Sequence, residues 1–262
     1  MFVVTKAHEM FYREDLPDVN DASLVVQPEN RGTGIAVLTA LLRIQRRDAD
    51  AVVTFLPCDH YYSDDHSFAK TITTATECAR KLPGSVILLG AKADHPEVEY
   101  GWIEPGSSLP EAVDTPLLRV NRFWEKPSLP EAEILLRRGC LWNTFVTIGH
   151  VRAFLELLRS AIPDVVHQIA TSLADDDLES AYRNVRSVDF SREALAAQTH
   201  RLLVVRDVAS GWADLGNPER VIHTMVKNGI EPAWFRRVGE QGFSPLTLAD
   251  SEYSEKILPS GS

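Results

Sequence analysis

The sequence predicts an α/β fold in which a mixed, mostly parallel sheet is flanked by helices. Three observations lead there. Short continuous apolar runs, Ala51–Leu56 and Ser85–Gly90, have the length and β-branched content of strands buried on both faces. Stretches with helical spacing of apolar residues separate them, which is the alternation of a parallel sheet. The chain also turns polar where the first of these runs ends, at Leu56-Pro-Cys-Asp-His60. Open α/β sheets present their ligand-binding groups at that carboxyl edge.

The elements follow in order. Phe2–Thr5 and Leu24–Val26 read as short strands, and the second runs into a polar loop, Gln27-Pro-Glu-Asn-Arg-Gly-Thr33. Ile35, Leu38, Leu41 and Leu42 recur at helical spacing, so residues 34–46 read as a helix leading to the strand at 51–56. Residues 66–81 suit a second helix before the strand at 85–90. From Tyr100 the grammar changes to shorter strands, Gly101–Glu104 and Leu118–Trp124, then a helix at 129–138 introduced by Pro127-Ser128. Helices at 151–161, 163–173 and 217–228 surround a strand at Leu202–Val205 and a tight loop, Gly211-Trp-Ala-Asp-Leu-Gly216. One domain with two lobes is expected over residues 1–230, followed by a tail, 231–262, that is Ser, Gly and Pro rich from about Gly239 and loosely held.

Composition excludes several classes. With 262 residues, 44% of them hydrophobic, the chain fills a sizeable core. Lys and Arg total 27 against 37 Asp and Glu, a net charge of -10 with no long basic run, which argues against a nucleic-acid partner. Cys58, Cys78 and Cys140 are odd in number and form no CxxC pair, which suits a reducing cytoplasm. No apolar run reaches the roughly 20 residues of a membrane helix, and no signal peptide is evident. A cytoplasmic protein without a membrane partner is expected; the oligomeric state is not legible.

Asp59 follows a buried strand, with Pro57 ending it, and Asp214 sits in the glycine-bounded loop. Two such carboxylates suit a shared hard cation such as Mg²⁺, completed by substrate phosphates and water. Equally, each acid serves as a helix or turn cap. Lys126, in Phe123-Trp-Glu-Lys-Pro127, offers a compact charge for a phosphate and Glu125 an acceptor for sugar hydroxyls, or the two form an ordinary exposed strand end. Asn143, among bulky apolar residues in Leu141–Phe145, needs partners for donor and acceptor, which a sugar diol or the backbone would supply. Tyr100-Gly101 allows close backbone approach to a ligand, or simply a turn. His8, His60 and His95 lack metal-ligand spacing and are expected in surface or cap roles.

Taken in order, seven segments resemble the sugar-1-phosphate nucleotidyltransferases, most closely the mannose-1-phosphate guanylyltransferase type: residues 27–33, 56–60, 100–104, 123–127, 141–145, 188–191 and 211–216. The resemblance implies a Rossmann-like, GT-A-like nucleotide-binding lobe. It also implies transfer of a nucleotidyl group from a nucleoside triphosphate, GTP favoured, to a sugar 1-phosphate, mannose 1-phosphate favoured. By matching positions, Asp59 and Asp214 would hold Mg²⁺, Lys126 the sugar phosphate, and Gly101, Glu125 and Asn143 the sugar. Gln27 and Gly32 would lie against the base, and Asp189 matches a position near the sugar.

Departures from the pattern matter as well. Family members begin with a strand, a Gly-rich Arg-containing loop and a Lys-Pro, whereas this chain opens at what resembles their second strand. On the order of 50 residues would be involved. The expectation is that Met1 is internal to a longer protein, that activity depends on the preceding loop, and that neighbouring strands show open edges. Glu-Asn-Arg-Gly-Thr replaces the commoner Gly-Arg-Asn-Thr, and Gly211-Trp-Ala-Asp the commoner Asp-Trp-Ser-Asp, so base preference is less secure than reaction class. No short-period repeat follows residue 230, so the β-helix of many relatives is not expected. The alternative is a noncatalytic nucleotide-sugar-binding or regulatory relative. A glycosyltransferase would call for an Asp-x-Asp pair after a strand, which Asp59-His-Tyr does not supply.

Overall fold

The structure is a computed structural model and describes residues 1–16, 19–20, 23–109, 117–174 and 177–230. The expected tail, 231–262, and the absence of a β-helix there fall outside the described residues. The chain divides into two compact units, one of residues 1–56 and 71–207, the other of residues 57–70 and 208–262.

The first unit contains most of the sheet. Its strands are β1 (Phe2–Thr5), β2 (Leu24–Gln27), β3 (Val52–Phe55), β5 (Val86–Lys92), β6 (Gly101–Ser108), β7 (Leu117–Glu125), β8 (Leu141–His150) and β9 (Leu202–Asp207). Strands β4 (His60–Tyr62) and β10 (Trp212–Asp214) form a ribbon in the second unit. The helices are α1 (Glu9–Asp15), α2 (Thr33–Arg47), α3 (Asp65–Lys81), α4 (Leu129–Arg137), α5 (Val151–Ala161), α6 (Pro163–Ala174), α7 (Leu178–Asn184) and α8 (Pro218–Lys227).

The α/β class is as expected, and the sheet is mixed. Its six strands run in the order β3-β8-β5-β9-β7-β6. The pairing registers give β3, β5, β9 and β6 one direction and β8 and β7 the other. Most strands thus point one way, yet only β5 and β9 are adjacent and parallel in this sheet. The expected mixed sheet is thus present, and its antiparallel pairings come largely from β8, of which the sequence marks only the apolar segment at 141–145. It runs ten residues and wedges between β3 and β5. β1 and β2 pair in parallel as a separate two-stranded sheet, so β2 and β3 each keep an open edge among the described residues.

The core lies between this sheet and the apolar faces of α2, α5 and α6, where Leu38, Leu41, Phe154, Leu158 and Ile169 are fully buried beside Val86, Leu88 and Val204. The stripe of α5 follows from Val151, Phe154, Leu155 and Leu158 at helical spacing. Helix α4 starts at a capping box, in which Ser128 and Glu131 satisfy each other's backbone donors. No described helix is long and apolar enough to cross a membrane.

Candidate active site

In the first unit the end of the β6–β7 hairpin meets β8. Gly101 is paired with Glu125, and Lys126 N donates to Tyr100 O at 3.2 Å, closing the ladder. A Cβ at Gly101 would lie 2.9 Å from Glu125 Oε2, 3.1 Å from the Phe123 ring and 3.2 Å from Asn143 Cβ. The glycine is therefore what lets the Glu125 carboxylate and Asn143 close over the strand end. Lys126 is exposed and takes φ 51°, left-handed for a non-glycine residue.

The second left-handed non-glycine residue is Phe145, at φ 61°. It sits in a bulge of β8 opposite Leu89, where the pairing jumps from Leu88↔Thr147 to Gly90↔Asn143. Thr144 Oγ1 donates to Leu89 O at 2.8 Å, and the buried Asn143 Oδ1 accepts from Phe145 N at 3.2 Å. The bulge re-aims Asn143, and its oxygen is spent on the backbone. Left-handed backbone at Lys126 and at Phe145, each costing about 1–3 kcal/mol, marks a site the rest of the fold over-determines.

Glu125 is half-buried. Burial, with the Asp189 carboxylate nearby, pushes its pKa up to about 7, against the opposing pull of Lys126 and Arg192. Asp189 caps a single π-helical turn, Phe190–Leu195: its Oδ1 accepts from Arg192 N at 2.9 Å, while Asp189 N donates to Glu193 Oε1 at 3.1 Å. Because the folded state holds Glu125's proton more tightly than the unfolded chain, it binds more protons between about pH 4.5 and 7. Glu125 therefore makes stability fall as pH rises through that window. Glu125→Gln is expected to narrow the difference in melting temperature between pH 5 and pH 8. An unchanged difference would remove Glu125 as its source.

Gln27 and Gly32 lie elsewhere in the same unit. Gln27 is buried, and its Oε1 accepts from Tyr182 OH at 3.1 Å; that hydroxyl also meets Thr39 Oγ1 at 3.2 Å. The loop at 30–34 is stitched to the segment carrying Asp189. Val188 N donates to Arg31 O at 3.0 Å, Gly34 N to Val188 O at 2.9 Å and Phe190 N to Thr33 Oγ1 at 3.0 Å. Gly32, at φ 82°, permits this contact, since a Cβ there would lie 2.4 Å from Val188 O.

In the second unit, β4 and β10 pair antiparallel, with Asp214 opposite His60 and Trp212 opposite Tyr62. Leu215 N donates to Asp59 O at 2.8 Å, extending the ribbon by one register, so that Asp59 immediately precedes the residue opposite Asp214. Asp59 is exposed. Asp214 is half-buried, and its Oδ1 accepts from Gly216 N at 2.9 Å and Arg220 Nη1 at 2.7 Å. It is thus a turn cap and ion-pair partner as well as a candidate ligand, and both of those bonds fall on Oδ1. Two carboxylates within one register of each other on the ribbon, one exposed and one with an oxygen left over, offer oxygen ligands to a hard cation that keeps water and phosphate in its remaining positions. Among the described residues no cluster of three or more His, Cys, Asp or Glu forms an all-protein metal cage.

His60 is a correction: it is neither a surface nor a cap residue. It lies half-buried within β4, and its Nδ1 accepts from Trp212 Nε1 at 3.1 Å. Desolvation holds its pKa below the ordinary histidine value, with Asp59 and Asp214 pulling the other way. Sequence reading missed this pairing and Arg192. A three-residue strand such as β4 carries no periodicity, and only the Asp189 cap, three residues earlier, signals Arg192.

The nucleotidyl transferase family model matches residues 1–228. The chain is similar to the alginate biosynthesis protein AlgA of Pseudomonas aeruginosa, 28% identical over 243 residues, covering 87% of this chain and 49% of that protein. A mannose-1-phosphate guanylyltransferase of Klebsiella pneumoniae is 28% identical over 230 residues, 83% of this chain and 47% of the relative. Among solved structures, one described as mannose-1-phosphate geranyltransferase from Thermus thermophilus superposes with a TM-score of 0.74 at 28% identity, covering 85% of this chain and 63% of that one. The chain spans about half the length of the curated relatives it matches.

Proposed function

The chain belongs to the nucleotidyl transferase family, and from that premise we propose that it joins a nucleoside triphosphate to a sugar 1-phosphate, giving a nucleotide sugar and pyrophosphate. GTP and mannose 1-phosphate are the favoured substrates, since the similar Klebsiella protein is a mannose-1-phosphate guanylyltransferase. The observation that carries the reading is the closure of Glu125 and Asn143 over Gly101 beside the exposed Lys126, one corner with sugar-binding and phosphate-binding groups together.

Each side chain then has a task. Lys126 pairs with the sugar phosphate, and its exposed ammonium is free to turn toward it. Glu125 and the amide nitrogen of Asn143 hold the sugar hydroxyls, giving an acceptor and a donor for a diol. Gln27, through the amide nitrogen its bond from Tyr182 leaves over, and Gly32 lie against the base. A phosphate oxygen of the sugar 1-phosphate attacks the α-phosphorus, a new P–O bond forms, and the bond to the β-phosphate oxygen breaks with its electrons leaving on pyrophosphate. Asp59 and Asp214 would hold Mg²⁺, which when bound supplies positive charge to offset that on the phosphate oxygens. The protein needs no covalent intermediate.

Lys126→Ala is expected to raise KM for the sugar phosphate about tenfold or more, the worth of one charge-assisted hydrogen bond, with KM for the triphosphate little changed. Equal effects on both substrates would take the phosphate away from Lys126. The reading as a whole is tested by pyrophosphate release from GTP, mannose 1-phosphate and Mg²⁺, measured on this chain and on a form extended at its N-terminus by a family Gly-rich loop segment. Release that requires all three supports it. Binding of sugar phosphate without release, across other nucleotides and sugars, points to the noncatalytic alternative, and neither binding nor release overturns both.

A further inference from the structure

The β4–β10 ribbon holds a histidine and a tryptophan that the reaction above does not use. Opposed residues of an antiparallel pair share a face, so His60, Tyr62, Trp212 and Asp214 all project from one side. On that face the His60 and Trp212 rings stand at 87° with centroids 5.3 Å apart. An indole nitrogen can only donate, so the 3.1 Å bond from Trp212 Nε1 requires a lone pair on His60 Nδ1. The ring proton therefore sits on Nε2. That N–H makes no hydrogen bond within the described residues, neither to Asp214 opposite nor to Asp59 before it in the chain. A fixed donor without charge, placed beside two acids and bonded to neither, suits an anionic oxygen arriving with a ligand.

We propose that His60 is a substrate contact: its Nε2–H donates to a phosphate oxygen of the ligand gathered at Asp59 and Asp214, and Trp212 is the positioning residue that fixes the tautomer. The inference rests on the assignment of a cation to those two acids. It differs from a carboxylate-orienting role, in which the histidine would stiffen the acids whether or not phosphate were present.

Mn²⁺ and pyrophosphate are suitable probes, with binding measured by calorimetry and by the paramagnetic signal of free Mn²⁺. Wild type and His60→Asn are expected to bind Mn²⁺ alone equally well. With Mn²⁺ present, pyrophosphate should bind about tenfold more weakly to His60→Asn, the loss of one hydrogen bond to a charged group. His60→Gln should restore most of that affinity, because its amide nitrogen reaches as far as imidazole Nε2 while the shorter Asn side chain does not. Nitrogen NMR of labelled histidine should place the His60 proton on Nε2 in the wild type, and Trp212→Phe should mix the tautomers. Unchanged pyrophosphate affinity in His60→Asn overturns the proposal, as does a proton on Nδ1. Loss of Mn²⁺ affinity without pyrophosphate also overturns it, by moving His60 onto the acids. If wild type binds no Mn²⁺ at all, the cation assignment falls first and the inference falls with it.

Discussion

Asp59→Asn is expected to lower turnover by a factor on the order of 10² or more while leaving thermal unfolding within about 0.5 kcal/mol of wild type. The asymmetry comes from where the carboxylate sits. Asp59 is exposed, and its main structural bond is made by its backbone carbonyl, which Leu215 N reaches at 2.8 Å and which the substitution leaves in place. An amide keeps the shape but cannot give a cation a negative oxygen. Asp214→Asn is the instructive contrast. Its amide oxygen can still accept from Gly216 N, but the ion pair with Arg220, in which both side chains are only 20% exposed, is lost. The substitution takes an ion pair away from a partly buried arginine, so a stability loss should accompany the activity loss. Steady-state rates and melting temperatures on the two variants check this. Near-normal turnover in Asp59→Asn would refute its role as a cation ligand.

The largest effect on the fold is expected from Gly32→Ala, a destabilisation on the order of 3 kcal/mol that lowers the melting temperature by roughly 6–12 °C. Two costs add. At φ 82° an alanine meets the left-handed penalty, and its Cβ would lie 2.4 Å from Val188 O and 3.0 Å from Val188 C. Those are backbone atoms, so no rotamer change relieves the contact. The loop must separate from residues 187–190 and give up the bonds between Arg31, Gly34 and Val188. Asp189 follows directly and its carboxylate acts on Glu125, so on the role proposed for Glu125 sugar binding should weaken as well. Gly139→Ala is the control. At φ 70° it meets nothing within 4 Å, so it should cost only the dihedral term, about 1 kcal/mol. Equal losses in the two variants would refute the close-approach account.

How far the sequence could be read depended on the range of the interaction concerned. The helices at 34–46, 151–161 and 163–173 were legible to within a residue or two, because helical spacing is a local property repeated over several turns. The strands at 51–56 and 85–90 were legible as local apolar runs, but only the second is buried along its length; the first is an edge strand in which Val53 alone is buried, because its other neighbour is absent among the described residues. Strand β8 was only partly legible. Its bulge interrupts the alternation at Phe145, and its place between β3 and β5 is set by partners 49 to 98 residues away. Ribbon β4–β10 was illegible, since three residues have no period and the register joins positions 150 residues apart.

The same divide runs through the site. The sequence by itself determined the residue types and their order: Asp59 after a strand, the Glu125-Lys126-Pro127 turn, Asn143 among apolar neighbours, Asp214 between glycines. It also determined the family resemblance, because order and spacing are properties of the chain. Only the tertiary structure decided which of these groups share an environment. Gly101 packs under Glu125 and Asn143, Gln27 spends its oxygen on Tyr182, Asp214 divides itself between a turn and Arg220, and a tryptophan 152 residues away fixes the proton of His60. Hydrogen-bond direction, desolvation and pKa depend on the few ångströms around a group. That neighbourhood is assembled by long-range packing, which no local pattern in the chain encodes.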